Sequence, residues 1–407
     1  MSVCSIEFLT ILIGLSGVFF LIPGLRQRQA TLSLCNAAFL SSQVPDAAGW
    51  IALSLFLATG YVTTRLLIAY PRKALLASYL GLLLATFLIV KKYDFVAVLL
   101  PQSIFGHGIV IIGLSYMLFR QIHVVVDAFQ GQIERFSLWT YVNYQLNLFG
   151  ILAGPIQRYQ DFQQCWDHLE PLATDRSDVC FGYVRVFWGV LKIVVAATAC
   201  QAIYDRMING LIDGATPSYR TTLLFLTMFY VYPFYLYFNF SGYCDITIGG
   251  GHLLGMRMPE NFDHPFFSRN LFDYWTRWHR TLGAWIRDYA FMPLYKLCTE
   301  SFPRRDVLVA LTCLFAANFM AGLWHGSTWN FVIFGAIQGL GVAAVKLWEI
   351  ILVRYLGRKG LKSYLQSKWI RAISTIVTFH YVCFASLFFP KDLHRLAAIV
   401  KSLTGMF

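Results

Sequence analysis

The chain has 407 residues, of which 57% are hydrophobic, 17% aromatic and 13% charged, with a net charge of +12. Soluble globular chains carry about 25% charged residues, so this composition excludes a water-soluble protein and predicts one built for a bilayer. The basic residues sit in short segments between apolar runs, which is the positive-inside pattern of membrane proteins and argues against nucleic acid as a partner.

A bilayer core takes about 20 apolar residues per helical span, and short connections leave room for roughly ten to twelve spans. The apolar stretches are continuous and do not alternate, which excludes a closed barrel. The expected fold is therefore an all-α polytopic integral membrane protein. It forms one membrane-embedded domain, with N-terminal helices over 1–108, a core over 109–390 and a short tail over 391–407. The nine cysteines are scattered without a Cys-x-x-Cys pair, so neither a disulfide framework nor a metal site is expected.

In chain order, Ile6 to Ile22 reads as a retained first helix, closed by Pro23-Gly24 and followed by Arg26 and Arg28. Thr31 to Ser42 is short enough for a half-span or re-entrant piece. Gly49 to Tyr70 and Leu75 to Val90 are full spans, yet both end in basic residues, so simple alternation fails there. The segment Ile109 to Phe129 carries Arg120, Gln121, His123 and Asp127, polar groups that must face protein or a water-filled cavity. Arg120 and Asp127 lie two turns apart and are expected to share one polar network, structural or catalytic. A helix over Trp139 to Ala153 should end at Gly154-Pro155. Gln160 to Asp178, with Asp161, Asp167, Glu170, Asp175 and Asp178, reads as the longest water-exposed stretch.

Gly182 to Tyr204 and Thr221 to Phe238 are two further spans. From Asn239 to Lys296 no clean apolar window fits, but tryptophan, phenylalanine and tyrosine alternate with charges. Short amphipathic or re-entrant helices at the membrane interface are expected there. Val307 to Leu323 then rises from Arg304-Arg305, and Trp329 to Leu352 returns to a loop carrying Arg354, Arg358, Lys359, Lys362, Lys368 and Arg371 without an acid. Both flanks of this hairpin are predicted in the cytoplasm, so His325 at its turn lies at or beyond mid-membrane, toward the outside. His279 belongs to the cytoplasmic interfacial stretch. Ile370 to Phe389 is the last span, followed by an amphipathic tail.

His325 stands in the stretch Asn318 to Trp329, between Gly322 and Gly326 and beside Trp324 and Trp329. Imidazole is the side chain whose unperturbed pKa lets it accept and return a proton near neutral pH. Two readings stand side by side: a general base, or a buried hydrogen-bonded histidine at a helix end.

Six motifs carry a family resemblance: Gly154-Pro-Ile-x-Arg-Tyr, Phe240-Ser-Gly-Tyr-x-Asp, Pro259-Glu-Asn-Phe, Trp275-x-Arg-Trp-His279, Trp285-x-Arg-Asp-Tyr289 and Gly322-Leu-Trp-His-Gly326. In this order they resemble the membrane-bound O-acyltransferase family, in particular its bacterial branch of alginate O-acetyltransferases and teichoic-acid D-alanyl transferases. The resemblance implies a ring of helices around a central tunnel, with His325 as the catalytic histidine and His279 as the second. Trp324, Trp278, Asn318, Asp245, Asn261, Arg277, Arg287 and Asp288 are the candidate substrate-binding or tunnel-lining residues. The chain departs from many relatives at Asn239, Cys244 and Gln338, and in length it leans toward the D-alanyl branch.

The implied activity is transfer of an acyl group, acetyl first and D-alanyl as the alternative. No bound cofactor is expected, and the donor is acetyl-CoA or an acyl carrier protein thioester. The acceptor is a hydroxyl of an extracytoplasmic polysaccharide or of a partner protein. Expected partners are membrane lipids, an extracytoplasmic polysaccharide-modifying protein and a cytoplasmic donor protein, in a bacterial cytoplasmic membrane. The rival readings are a transporter or flippase, whose embedded charges line a path, and a scaffold subunit of a secretion complex.

Overall fold

The computed structural model describes residues 6–44, 46–94, 113–169, 176–213, 217–390 and 393–404. Ile109 to Ile112, Glu170 and Asp175 lie outside them. The described residues form helices and no strand, apart from an isolated antiparallel bridge between Phe262 and Trp278.

Six helices among the described residues are long and apolar enough to cross a membrane: Ala47–Ala69, Lys73–Val90, Ser177–Ile212, Tyr219–Leu253, Asp306–His325 and Trp329–Gln366. Only 17% to 39% of each spanning window is buried inside the protein, so most of this apolar surface is left for lipid. Three of the six run to 36, 35 and 38 residues. Each of these three holds one of the expected spans and continues beyond the roughly 20 residues a bilayer core takes.

Several boundaries differ from the sequence expectation, each for a local reason. The second helix begins at Leu25, not Thr31, because Arg28 turns inward and donates to the carbonyls of Ile22 and Leu169 at 2.8 and 3.2 Å. The helix expected over 139–153 is Leu138–Gln145 and stops early. Buried Arg120 donates to the carbonyls of Tyr144 and Gln145 at 2.8 and 2.9 Å, satisfying the helix end as a basic group does at a C-terminus. The stretch read as water-exposed contains the helix Tyr159–Asp167, whose Tyr159, Phe162 and Trp166 are buried. Asn239 marks no boundary, since Tyr219–Leu253 runs through it as well as through Pro233. The basic segment after Leu352 is helical as well. Trp329–Gln366 kinks at Gly357, whose φ of 65° lies in the left-handed region that glycine adopts without cost, and Lys368–Ser386 follows directly.

Contacts divide the chain into two compact units, Met1–Ile193 with Phe240–Glu260, and Val194–Asn239 with Asn261–Phe407. In the first unit the polar residues of Leu114–Phe129 do not form the single network expected of Arg120 and Asp127. Arg120 serves the helix end described above. His123 accepts at Nε2 from the Tyr159 N–H at 2.8 Å, which leaves its Nδ1 hydrogen toward Asp127, 3.5 Å away. Asp127 also accepts from the Gln160 amide at 2.6 Å. These are structural bonds that seat Tyr159–Asp167 on its neighbour.

The second unit is built on the hairpin of Asp306–His325 and Trp329–Gln366. Gly322 and Gly335 let the two backbones meet: a Cβ on Gly322 would lie 2.1 Å from the Gly335 Cα. Such small-residue crossings replace the hydrophobic drive that helices lack inside lipid. Against this hairpin runs a chain of short helices, Leu271–Arg277, Arg280–Ile286 and Met292–Ser301, with a π-helical turn at Arg287–Phe291. Leu271 and Tyr274 pack with Leu314, the Trp324 ring lies beside His279, and Cys298 lies near Cys313. The segment thus climbs beside Asp306–His325 to its far end and comes back, which is a re-entrant path. The tail helix Leu393–Thr404 packs Ile399 onto Tyr204, Ile208 and Met228.

Candidate active site

The tip of the re-entrant segment is His279, a non-glycine residue with φ 46° and ψ 50°. Backbone in that region is uncommon for a side chain as large as histidine and must be held by its surroundings. The strand-like segment at Asn261 holds it. Arg280 N–H donates to the Asn261 carbonyl at 3.0 Å, Asp263 N–H donates to the Arg277 carbonyl at 2.9 Å, and Phe262 bridges Trp278.

The Asn261 side chain, fully buried, fixes the ring as well. Its Oδ1 accepts from the Thr281 N–H at 3.2 Å and from the Thr281 hydroxyl at 2.9 Å, and it faces His279 Nδ1 at 3.1 Å. A backbone N–H is an obligate donor, so the atom it meets is the amide oxygen, and His279 Nδ1 must carry hydrogen. The Nε2 lone pair then points away from Asn261. His279 lies outside the spanning helices, and burial first, then the neighbouring His325, hold its imidazole well below the ordinary value. The ring is neutral at pH 7 and presents a basic nitrogen.

His325 ends the helix Asp306–His325, where Gly326 turns the chain away in extended backbone. Its half-buried ring sits in an aromatic box. Trp324, Phe389, Phe334 and Phe331 have ring centroids at 4.9, 5.2, 5.9 and 6.5 Å. The Asn330 amide donates to the Pro390 carbonyl and ties the Phe389 end of the box to the start of Trp329–Gln366. Trp324 lies 6.2 Å from His279 and 4.9 Å from His325, centroid to centroid, so one indole joins the two imidazoles. Two histidines 46 residues apart in the sequence therefore face the same indole. The re-entrant path brings them into one site.

Of the remaining candidates, Asn261 and Trp324 belong to this site. Trp278, next to His279, stacks on Tyr274 at 5.8 Å and meets Phe262 edge-on at 5.1 Å, anchoring the tip by packing. Arg277 pairs with Asp273 at 2.7 Å within its own helix. Arg287 and Asp288 pair with each other at 2.7 Å on an exposed turn. The Asn318 amide is spent on the Leu314 carbonyl at 2.9 Å.

Asp245 is in the first unit, where it accepts from Arg185 Nε at 2.6 Å and Lys192 Nζ at 2.5 Å. Arg185 also forks onto Glu260 at 2.8 and 2.6 Å. The helices that carry these groups cross closely: a Cβ on Gly242 would sit 2.8 Å from the Gly189 carbonyl oxygen. The sequence reading named neither Arg185 and Lys192 nor Thr281, Phe331, Phe334 and Phe389. Apolar aromatic residues inside an apolar run carry no local signal that they wall a site.

Asn261→Leu removes the acceptor that sets the His279 tautomer, and acyl transfer is expected to fall about tenfold or more, with the Thr281 anchor lost as well. Asn261→Asp keeps an acceptor but adds a negative charge, which favours imidazolium and raises the His279 pKa. Its pH–rate profile should therefore move its acid limb to higher pH, while a purely structural Asn261 would leave the limb in place.

Two histidines thus converge on one tryptophan at the turn of a hairpin in a helical membrane protein. The chain belongs to the membrane-bound O-acyltransferase family, whose model matches residues 67–388, and it is an acyltransferase. It is 27% identical over 403 residues to a teichoic acid D-alanyltransferase of Bacillus subtilis, covering 95% of both chains. It is 31% identical over 245 residues to the probable alginate O-acetylase AlgI of Azotobacter vinelandii, which spans 60% of this chain and 46% of that relative. A peptidoglycan O-acetyltransferase of Helicobacter pylori matches at 25% over 74% of this chain and 58% of its own length.

Proposed function

We propose that this chain moves an acyl group from a thioester donor to a hydroxyl acceptor, with His325 as general base and His279 orienting the reactants. The convergence of both rings on Trp324 carries this reading. The acceptor O–H gives its proton to the His325 imidazole as its oxygen forms a bond to the thioester carbonyl carbon. The C–S bond then breaks, and the leaving thiolate takes the proton back, so the imidazole ends as it began. Phe331, Phe334 and Phe389 around His325 keep water from competing with the hydroxyl.

The hairpin supports a direction for the transfer. Asp306–His325 has 20 residues, and at about 1.5 Å per residue it climbs roughly 30 Å, a full hydrocarbon thickness. Arg304 and Arg305 at its start favour the cytoplasm for that end, which sets His325 toward the outside of a bacterial cytoplasmic membrane. The donor is then acetyl-CoA or an acyl carrier protein, entering from the cytoplasm. The acceptor is an extracytoplasmic polymer or a partner that modifies one.

Acetyl is the first expectation, but a second reading has its own observation. The relative that matches end to end, over 95% of both chains, is a D-alanyltransferase, which favours D-alanyl transfer to teichoic acid. The purified protein in lipid nanodiscs, given radiolabelled acetyl-CoA or a D-alanyl carrier-protein thioester together with an acceptor polymer, separates the two. Label reaching the acceptor from either donor supports the enzyme and names the group. Label from neither, with the protein folded, overturns the proposed chemistry.

A further inference from the structure

Within the second unit a groove of about 1120 Å³ opens along Trp329–Gln366 and Lys368–Ser386, away from the histidines and their aromatic box. It is larger than the roughly 300–1,000 Å³ of ordinary small-molecule pockets. At its inner end Tyr381 closes on Gly341 and donates to the Ile337 carbonyl at 2.5 Å. Its walls include Trp348, Leu365, Ile373 and Val377, all large apolar side chains left exposed by the described residues, with Val377 61% exposed.

Beyond the Gly357 kink the helix supplies Leu361, Tyr364 and Leu365 to the groove, while Arg358, Lys359 and Lys362 on the same turns are exposed. That is the sidedness of a helix lying in a membrane interface. The charged lining is unbalanced. Arg277 is tied to Asp273 and Lys346 to Glu349. Arg269 and Arg371 line the same groove, and among the described residues neither has an ion-pair partner.

We infer that this groove binds an anionic phospholipid, with the phosphate on Arg269 and Arg371 and an acyl chain along Ile373 and Val377. Two guanidinium groups lining one groove suit a phosphate, which accepts paired N–H bonds from each fork. The exposed apolar walls suit a hydrocarbon occupant, and Trp329–Gln366 beside them is of membrane-crossing length and hydropathy, so lipid is the molecule that reaches them. A zwitterionic lipid would satisfy the walls but carries its own cation to the arginines. An acidic protein would satisfy the arginines but leave the deep apolar wall bare.

Native mass spectrometry of the full chain, released from nanodiscs of equal phosphatidylglycerol and phosphatidylcholine, tests this. The wild type should retain one phosphatidylglycerol in preference to phosphatidylcholine. Arg269→Gln with Arg371→Gln should lower that retention about tenfold or more, while the donor KM for acyl transfer stays unchanged. Val377→Trp, which fills the apolar wall without touching the charges, should displace the same lipid and serves if the double variant fails to fold. Equal retention of both lipids, or phosphatidylglycerol held unchanged by the variants, overturns the inference. So does a raised donor KM with lipid retention intact, which would give the groove to the thioester donor.

Discussion

His325→Ala is expected to lower acyl transfer by about 10²–10⁴-fold, the share that a positioned general base supplies, while the protein still inserts and folds. The ring is half-buried at a helix end, and its removal costs aromatic contacts to Trp324 and Phe389. Such contacts are worth about 0.5–1.5 kcal/mol each, too little to unfold a hairpin knit through Gly322 and Gly335. His325→Gln keeps more of the volume and loses the same proton function. Both variants should elute as folded protein and fail in single-turnover transfer. Wild-type turnover in either would return His325 to the structural reading, a histidine that merely packs.

Asp245→Ala is expected to act on stability first. The carboxylate is nearly buried, at 8% side-chain exposure, and serves Arg185 and Lys192 together. Removing one partner of a buried ion pair costs about 3–5 kcal/mol. Arg185 keeps Glu260 and both cations are partly exposed, so about 2–3 kcal/mol is the reasonable scale here. Thermal unfolding in detergent should show a clear fall in Tm, with any loss of transfer tracking the unfolded fraction. An unchanged Tm with a raised acceptor or donor KM would instead restore Asp245 to the substrate-binding role read from its motif.

The class of fold was legible because composition and run length report directly on the solvent. His325 stood out for a similar reason, because imidazole at the seam of two apolar runs is costly without a purpose, whereas His279 was singled out by the family resemblance of Trp275-x-Arg-Trp-His279. What the sequence hid is set by partners far along the chain. Asp245 meets Arg185 across 60 residues and Asn261 meets His279 across 18, and no local period announces either. Helix ends were misjudged where a side chain replaced the usual punctuation, as Arg120 does at Gln145 in advance of Gly154-Pro155. The nearness of His279 to Trp324 was hidden for another reason. Hydropathy windows average the short helices of a re-entrant segment into one interfacial value, although its tip reaches Trp324.

The central claim is that one acyl group passes from a donor on one face to an acceptor on the other through the site at His325. Sealed vesicles of uniform orientation, with acceptor polymer trapped at the face where His325 opens and radiolabelled thioester added at the face of Arg304 and Arg305, measure it directly. Label should appear on the trapped acceptor with the wild type and be absent with His325→Ala. Label that reaches acceptor only when donor and acceptor share one face would contradict the account.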